Sequence, residues 1–141
     1  MSVLARSPLA RIQAHLAPLQ PLPPHRCLRA PQCGTLMVRA RAGGRGERFN
    51  LAEMSVCRAS VVLDDGLVGH AYVAGNDGRH AELAALMDAM LQDPTNGQRL
   101  WQAVIAPLAR ELEQRIADRK REVERTRVEF FTLVRPEDAC A

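Results

Sequence analysis

Apolar positions at mostly helical spacing open the chain. Val3, Leu4, Leu9, Ile12 and Leu16 would share one face, so the pattern predicts a single short amphipathic helix over residues 2–17. Ser2 or Ser7 is placed to cap it, and Pro8 is tolerated in a first turn. Four prolines between Pro18 and Pro24 remove donors and restrict their neighbours, which predicts an extended connector over 18–24. The texture then changes to short Val-, Thr- and Leu-rich runs broken by glycine, predicting a strand meander over residues 25–76. Within it Cys57, Ala59, Val61 and Leu63 alternate with Val56, Arg58, Ser60 and Val62, the period of a sheet with one wet face. Asp65-Gly66 is the strongest hairpin signal, and a type I′ turn is expected there.

After Gly78 the period becomes helical, with Ala81, Ala84, Met87 and Leu91 on a wide stripe behind a capping Asp77. A longer helical pattern runs from about residue 99 to 127 through Leu100, Val104, Leu108, Leu112, Ile116 and Val123, with Pro107 starting a turn or a kink. Its charges fall in helical pairs: Glu111 four residues before Arg115, and Asp118, Glu122 and Glu124 each three before an arginine. Residues 128–141 form a tail carrying Phe130 and Phe131 and stopped by Pro136. The expected fold class is α+β in one domain spanning 1–141: an antiparallel strand meander in the middle of the chain, packed by an N-terminal helix and two C-terminal helices.

Composition narrows the class. Of 141 residues, 47% are apolar, which is incompatible with intrinsic disorder, and no apolar run approaches the ~20 residues of a membrane span. The net charge of +3 conceals an asymmetry: residues 1–46 carry seven arginines and no acid. Eighteen of the nineteen basic residues are arginine, a bias that genome composition alone can produce, so charge is a weak argument for phosphate binding. The start lacks the features of a secretory or transit segment, and a cytoplasmic location is expected. The four cysteines, Cys27, Cys33, Cys57 and Cys140, contain no CxxC pair and are expected to be reduced thiols without a metal.

Candidate chemistry is sparse. Gly43-Gly44-Arg45-Gly46-Glu47-Arg48 offers flexible backbone amides beside two guanidinium forks, so Gly44, Arg45, Gly46 and Arg48 are candidate contacts for an anion or a partner carboxylate. A turn with exposed arginines is the simpler reading, since the spacing fits neither a phosphate loop nor a dinucleotide fingerprint. His70 on a strand and His80 at a helix start form a possible polar site, although structural roles for both are the simpler account. No catalytic set and no metal site is complete. Two other classes stay open on the residues alone: an autonomous phosphate-ester or nucleotide-binding enzyme that converges His70, His80 and Arg48, and a nucleic-acid-binding adaptor using the arginine-rich half.

Several separated segments occur in one order: MSVLARS, GGRGERFN, VVLDDGLVGHAYVAGNDGRHAELAALMDAML, IAPL and RVEFFTLVR. Together they resemble the PhnG family of carbon–phosphorus lyase systems from residue 1 to about 138. The proline-rich connector, Cys27 and Cys33 beside it, and Arg-Pro-Glu-Asp at positions 135–138 depart from the family's usual pattern. The resemblance implies an enabling subunit without its own active site, in a core complex with two copies each of subunits G, H, I and J and looser ATPase-like subunits. It implies that subunit I, helped by G, H and the ATPase-like subunit L, displaces adenine from MgATP with a phosphonate. The product would be α-D-ribose 1-methylphosphonate 5-triphosphate. The iron–sulfur cluster and S-adenosylmethionine are then expected on subunit J, no cofactor is expected on this chain, and neither nucleic acid nor membrane is an expected partner.

Overall fold

The alternation over residues 56–63 is realised as burial: Cys57, Ala59, Val61 and Leu63 all point into the core while Arg58 stays exposed. This comes from a computed structural model, which describes residues 1–127. Three antiparallel strands, β1 (His25–Arg41), β2 (Arg48–Leu63) and β3 (Val68–Ala74), form a sheet in the order β1-β2-β3. The fold is α+β, with the sheet in the middle of the chain and helices before and after it.

The strands are longer than the broken texture of the sequence suggested. β1 runs unbroken through Pro31 because it is an edge strand, where a missing N–H costs no ladder bond, and the register shifts between Arg29 and Gln32 to absorb the irregularity. The β2–β3 turn also differs from the expected type I′ geometry. Gly66 alone takes a positive φ, 91°, and it follows Asp64 and Asp65 in a three-residue loop closed from Leu67 C=O to Leu63 N–H at 2.9 Å. This is the type I turn with a glycine bulge, in which Asp65 needs no left-handed backbone. Its carboxylate instead accepts from Leu67 N–H at 3.0 Å.

The single helix expected over 2–17 is two helices, α1 (Ser2–Arg6) and α2 (Leu9–Leu16). Proline at position 8 forces Ser7 into extended backbone, so α1 must end there, and the Ser7 hydroxyl donates to Val3 C=O at 2.8 Å. Neither serine caps a helix start; those places fall to Met1 and Pro8.

α3 (Gly78–Met90) begins as its sequence proposes, with Asp77 Oδ1 accepting from His80 N–H at 3.1 Å. It lies on the sheet through small residues, and at Gly69 of β3 the approach leaves no space for a side chain: a Cβ there would strike the backbone of Ala85 and Ala89. Next come α4 (Gly97–Leu100), a π-helical turn (Trp101–Ile105) and α5 (Ala106–Arg125), continuous in sequence. The wide turn falls just before Pro107, whose ring would otherwise crowd the carbonyl four residues back. α1 packs on β3, α3 and α5, and α2 packs on the π-helical turn. The expected tail, with Phe130, Phe131, Pro136 and Cys140, lies outside the described residues.

One ion-pair expectation is redirected by this packing. Glu111 does not turn to Arg115 but accepts from Arg11 Nε at 3.0 Å and from His15 Nε2 at 2.9 Å, while Arg115 Nη2 donates to Arg6 C=O at 2.8 Å. The hydrogen bonds from Arg11, then from His15, hold the Glu111 carboxyl well below its ordinary range, at about 2. Asp118–Arg121 and Glu124–Arg127 do form on the exposed face, at 2.7 and 3.1 Å.

Candidate functional site: the hairpin arm and the open sheet face

β3 ends opposite Val56, but β1 and β2 continue as a pair to Arg41 and Arg48. The eight residue steps beyond Cys33 carry this two-stranded ribbon about 25 Å past the three-stranded body. At its base Cys33 and Cys57 stand directly opposite and are joined in a disulfide, with Cα atoms 4.1 Å apart. This corrects the expectation of reduced thiols: a separation of 24 residues gives no local motif, and strand register alone brings the pair together. Cys27 is free and exposed; its thiol is pushed up by burial and then by Glu82, to which it donates at 3.3 Å, so it is a poor nucleophile.

The ribbon has two unlike faces. Cross-strand pairs share a face, so Leu36–Met54, Val38–Ala52 and Ala40–Phe49 make one side wholly apolar. The other carries Thr35–Ser55, Met37–Glu53, Arg39–Asn50 and Arg41–Arg48. Leu51 has no cross-strand partner, because the register shifts by one residue between Val38 and Arg39. At the tip Gly43 and Gly44 take positive φ values of 55° and 79°, which lets the chain reverse. The N–H groups of Arg45 and Gly46 both turn inward to Ala42 C=O, so the tip presents guanidinium groups outward, not a cradle of amides. Arg45 and Arg48 are exposed, and Arg48 directly opposes Arg41, an unfavourable like-charge pair unless an acid from elsewhere meets it.

The apolar side of the ribbon continues onto the sheet face that none of the described helices covers. There the rows Arg29–Ser60–His70 and Gln32–Arg58–Tyr72 line shallow concavities of about 440 and 430 Å³. Ser60 Oγ lies 2.8 Å from His70 Nδ1, but the Asp88 carboxylate accepts from the His70 backbone N–H at 3.1 Å and so holds the strand instead of orienting the ring. Among the described residues no third group is bonded to the pair to activate a nucleophile.

His80 lies on the opposite side of the sheet, buried, its Nε2–H donating to Leu4 C=O at 2.9 Å; it ties α3 to α1. Arg48 stands about 40 Å along β2 from the His70 row. His70, His80 and Arg48 thus face three different environments, and the convergent pocket that an autonomous enzyme would need does not form. Among the described residues no group of three or more His, Cys, Asp or Glu side chains converges on a metal-sized site, and no helix is long and apolar enough to cross a membrane. A further cavity of about 470 Å³ lies between the proline connector and the β2–β3 turn, with Asp64, Asp65 and Asp93 against a lone Arg99, the wrong sign for a phosphonate or phosphate. Sequence reasoning found the tip but not the ribbon: the continuous apolar face depends on register, and only the exposed apolar residues on both sides of GGRG hinted at it.

Comparison with known proteins places the chain in a family. A family model described as "Phosphonate metabolism protein PhnG" matches residues 1–136. The α-D-ribose 1-methylphosphonate 5-triphosphate synthase subunit PhnG of Rhizobium meliloti (strain 1021) is 37% identical over 138 residues, covering 98% of this chain and 88% of the relative.

Proposed function

The chain belongs to the PhnG family of phosphonate metabolism proteins, and from that premise we propose that it serves as the G subunit of an α-D-ribose 1-methylphosphonate 5-triphosphate synthase. In this role it is an enabling subunit of a carbon–phosphorus lyase core in the cytoplasm, assembled with subunits H, I and J in two copies each and meeting ATPase-like subunits more loosely. The complex replaces adenine at the ribose of MgATP with a phosphonate. The iron–sulfur cluster and S-adenosylmethionine belong to subunit J.

The observation that carries this reading is the near-complete match to a relative named as a synthase subunit. The geometry supports it chemically. A ribbon extended well beyond its own core and a helix whose outer half is exposed suit a chain that finishes its burial on companions, and among the described residues the Ser60–His70 pair has no activating third group.

Co-expression with H, I and J, followed by size-exclusion chromatography with mass measurement and an adenine-release assay on MgATP and methylphosphonate with L present, tests partner and activity together. Omitting this chain is expected to abolish adenine release and break the assembly. A monomeric chain whose companions react without it would overturn the reading. Cytoplasmic thiols are usually kept reduced, and the Cys33–Cys57 bond runs against that rule, so fractionation of the host with thiol mapping at harvest tests the location: recovery of the chain outside the cytoplasmic fraction overturns it.

A further inference from the structure

We propose that the ribbon formed by residues 34–41 and 48–55 is the primary docking element of this chain, its apolar face laid in a groove of a companion subunit whose far end rises around the hairpin tip, with carboxylates that meet Arg45 there and Arg41 and Arg48 on the outer face. The proposal rests on the subunit reading above and adds to it the surface and the chemistry of the partner.

The first argument is stability. A two-stranded ribbon with both faces in water is marginal by itself, and this one continues for eight residue steps beyond the last contact with β3. The second is the apolar load. Leu36, Phe49, Leu51 and Met54 are 48%, 44%, 59% and 44% exposed, together on the order of 400 Å² of apolar surface on one slender element. That is about half of what one partner contributes to a standard interface, before Val38, Ala40 and Ala52 are added.

The third argument is charge, and it selects the occupant. Between residues 39 and 48 stand Arg39, Arg41, Arg45 and Arg48 against a single acid, Glu47. A second copy of this chain fits poorly in either orientation. Two ribbons packed parallel bring the basic tips together, and two packed antiparallel lay each tip over Arg29 and Arg58 of the other's sheet face. A different chain with carboxylates at the far end of an apolar groove satisfies both the stripe and the tip, and it relieves the Arg41–Arg48 opposition.

The experiment is hydrogen–deuterium exchange on the full chain alone and in the co-expressed assembly, together with capture of companions by two variants, Leu36→Ser/Phe49→Ser and Arg41→Glu/Arg45→Glu/Arg48→Glu. Amides of 34–41 and 48–55 are expected to exchange at least tenfold more slowly in the assembly. Each variant is expected to bind its companions at least tenfold more weakly while keeping the melting temperature of the wild-type chain, since none of the altered side chains is buried in the core. An assembly that forms with ribbon amides exchanging as fast as in the free chain overturns the docking proposal and leaves the subunit reading standing; this measurement needs no variant to fold. Ribbon protection in a homodimer of the chain alone also overturns it, in favour of a second copy. Failure of the wild-type chain to join any companion removes the subunit reading and this proposal with it.

Discussion

Gly69→Ala is the sharpest test of how the sheet is held to its covering helix. Gly69 sits on β3 opposite Val61, and the Cβ that alanine would add meets the carbonyl of Ala85, the amide of Ala89 and, at 3.0 Å, the Ala89 side chain. Two of these three obstacles are helix backbone, which cannot rotate away as a flexible side chain would. α3 must therefore lift from the sheet, and it carries Ala81, Ala84, Leu86 and Met87 in the core with it. Overpacking of this kind costs about 3 kcal/mol, the upper part of the usual range, because rigid groups stand on the far side. For a chain of 141 residues that lowers the melting temperature by roughly 10 °C. The assay is thermal unfolding by circular dichroism, with Gly34→Ala as the control. Gly34 has nothing within 4 Å of an added Cβ, so that variant is expected to melt within about 2 °C of wild type. A Gly69→Ala protein that also melts within about 2 °C would refute the close seating of α3 on β3.

Three further outcomes follow from the packing. Asp77→Ala removes the acceptor for His80 N–H at the start of α3 and is expected to cost about 1 kcal/mol by denaturant titration. His80→Leu leaves the Leu4 carbonyl without its donor in a buried place, at a cost of about 1–3 kcal/mol, and amide exchange over residues 2–6 is expected to quicken as α1 loosens. Glu111 has its folded pKa depressed to about 2 from an ordinary carboxylate value, so the stability it adds is full above pH ~4.5 and is lost as the pH falls through about 2. Acid titration followed by circular dichroism is expected to show Glu111→Gln losing that part of the acid dependence, while an unchanged acid limb would refute the Arg11–Glu111–His15 link between α2 and α5.

The legible part of the candidate site was its tip. Three glycines and two arginines around residue 45 announced a turn with exposed cations, and the structure places Arg45 and Arg48 at the end of the β1–β2 hairpin. His70 and His80 looked like neighbours in sequence, yet the strand and helix that carry them put one on the open face and the other beneath α1. Ten residues of separation say nothing about which side of a sheet each side chain takes.

What the sequence by itself determined is whatever depends on nearest neighbours along the chain. The period of two over residues 56–63, the aspartate cap of α3 and the reversals at glycine are each decided by sterics and hydrogen bonds within a few residues, as is the break at Pro8, which the expectation of one helix over 2–17 overlooked. The ordered motifs of the PhnG family were legible for the same reason, since they are local strings. Tertiary structure alone decided what depends on pairing at a distance. The register of β1 on β2 set Cys33 against Cys57, gathered Leu36, Val38, Ala40, Phe49 and Met54 on one face, and carried the ribbon past the end of β3. The docking of α2 beside α5 turned Glu111 from its expected helical partner to Arg11 and His15. A shift of one residue in the register of β1 on β2 would turn Leu36, Val38 and Ala40 to the polar side of the ribbon without altering a letter of the sequence, because side chains alternate sides at every step.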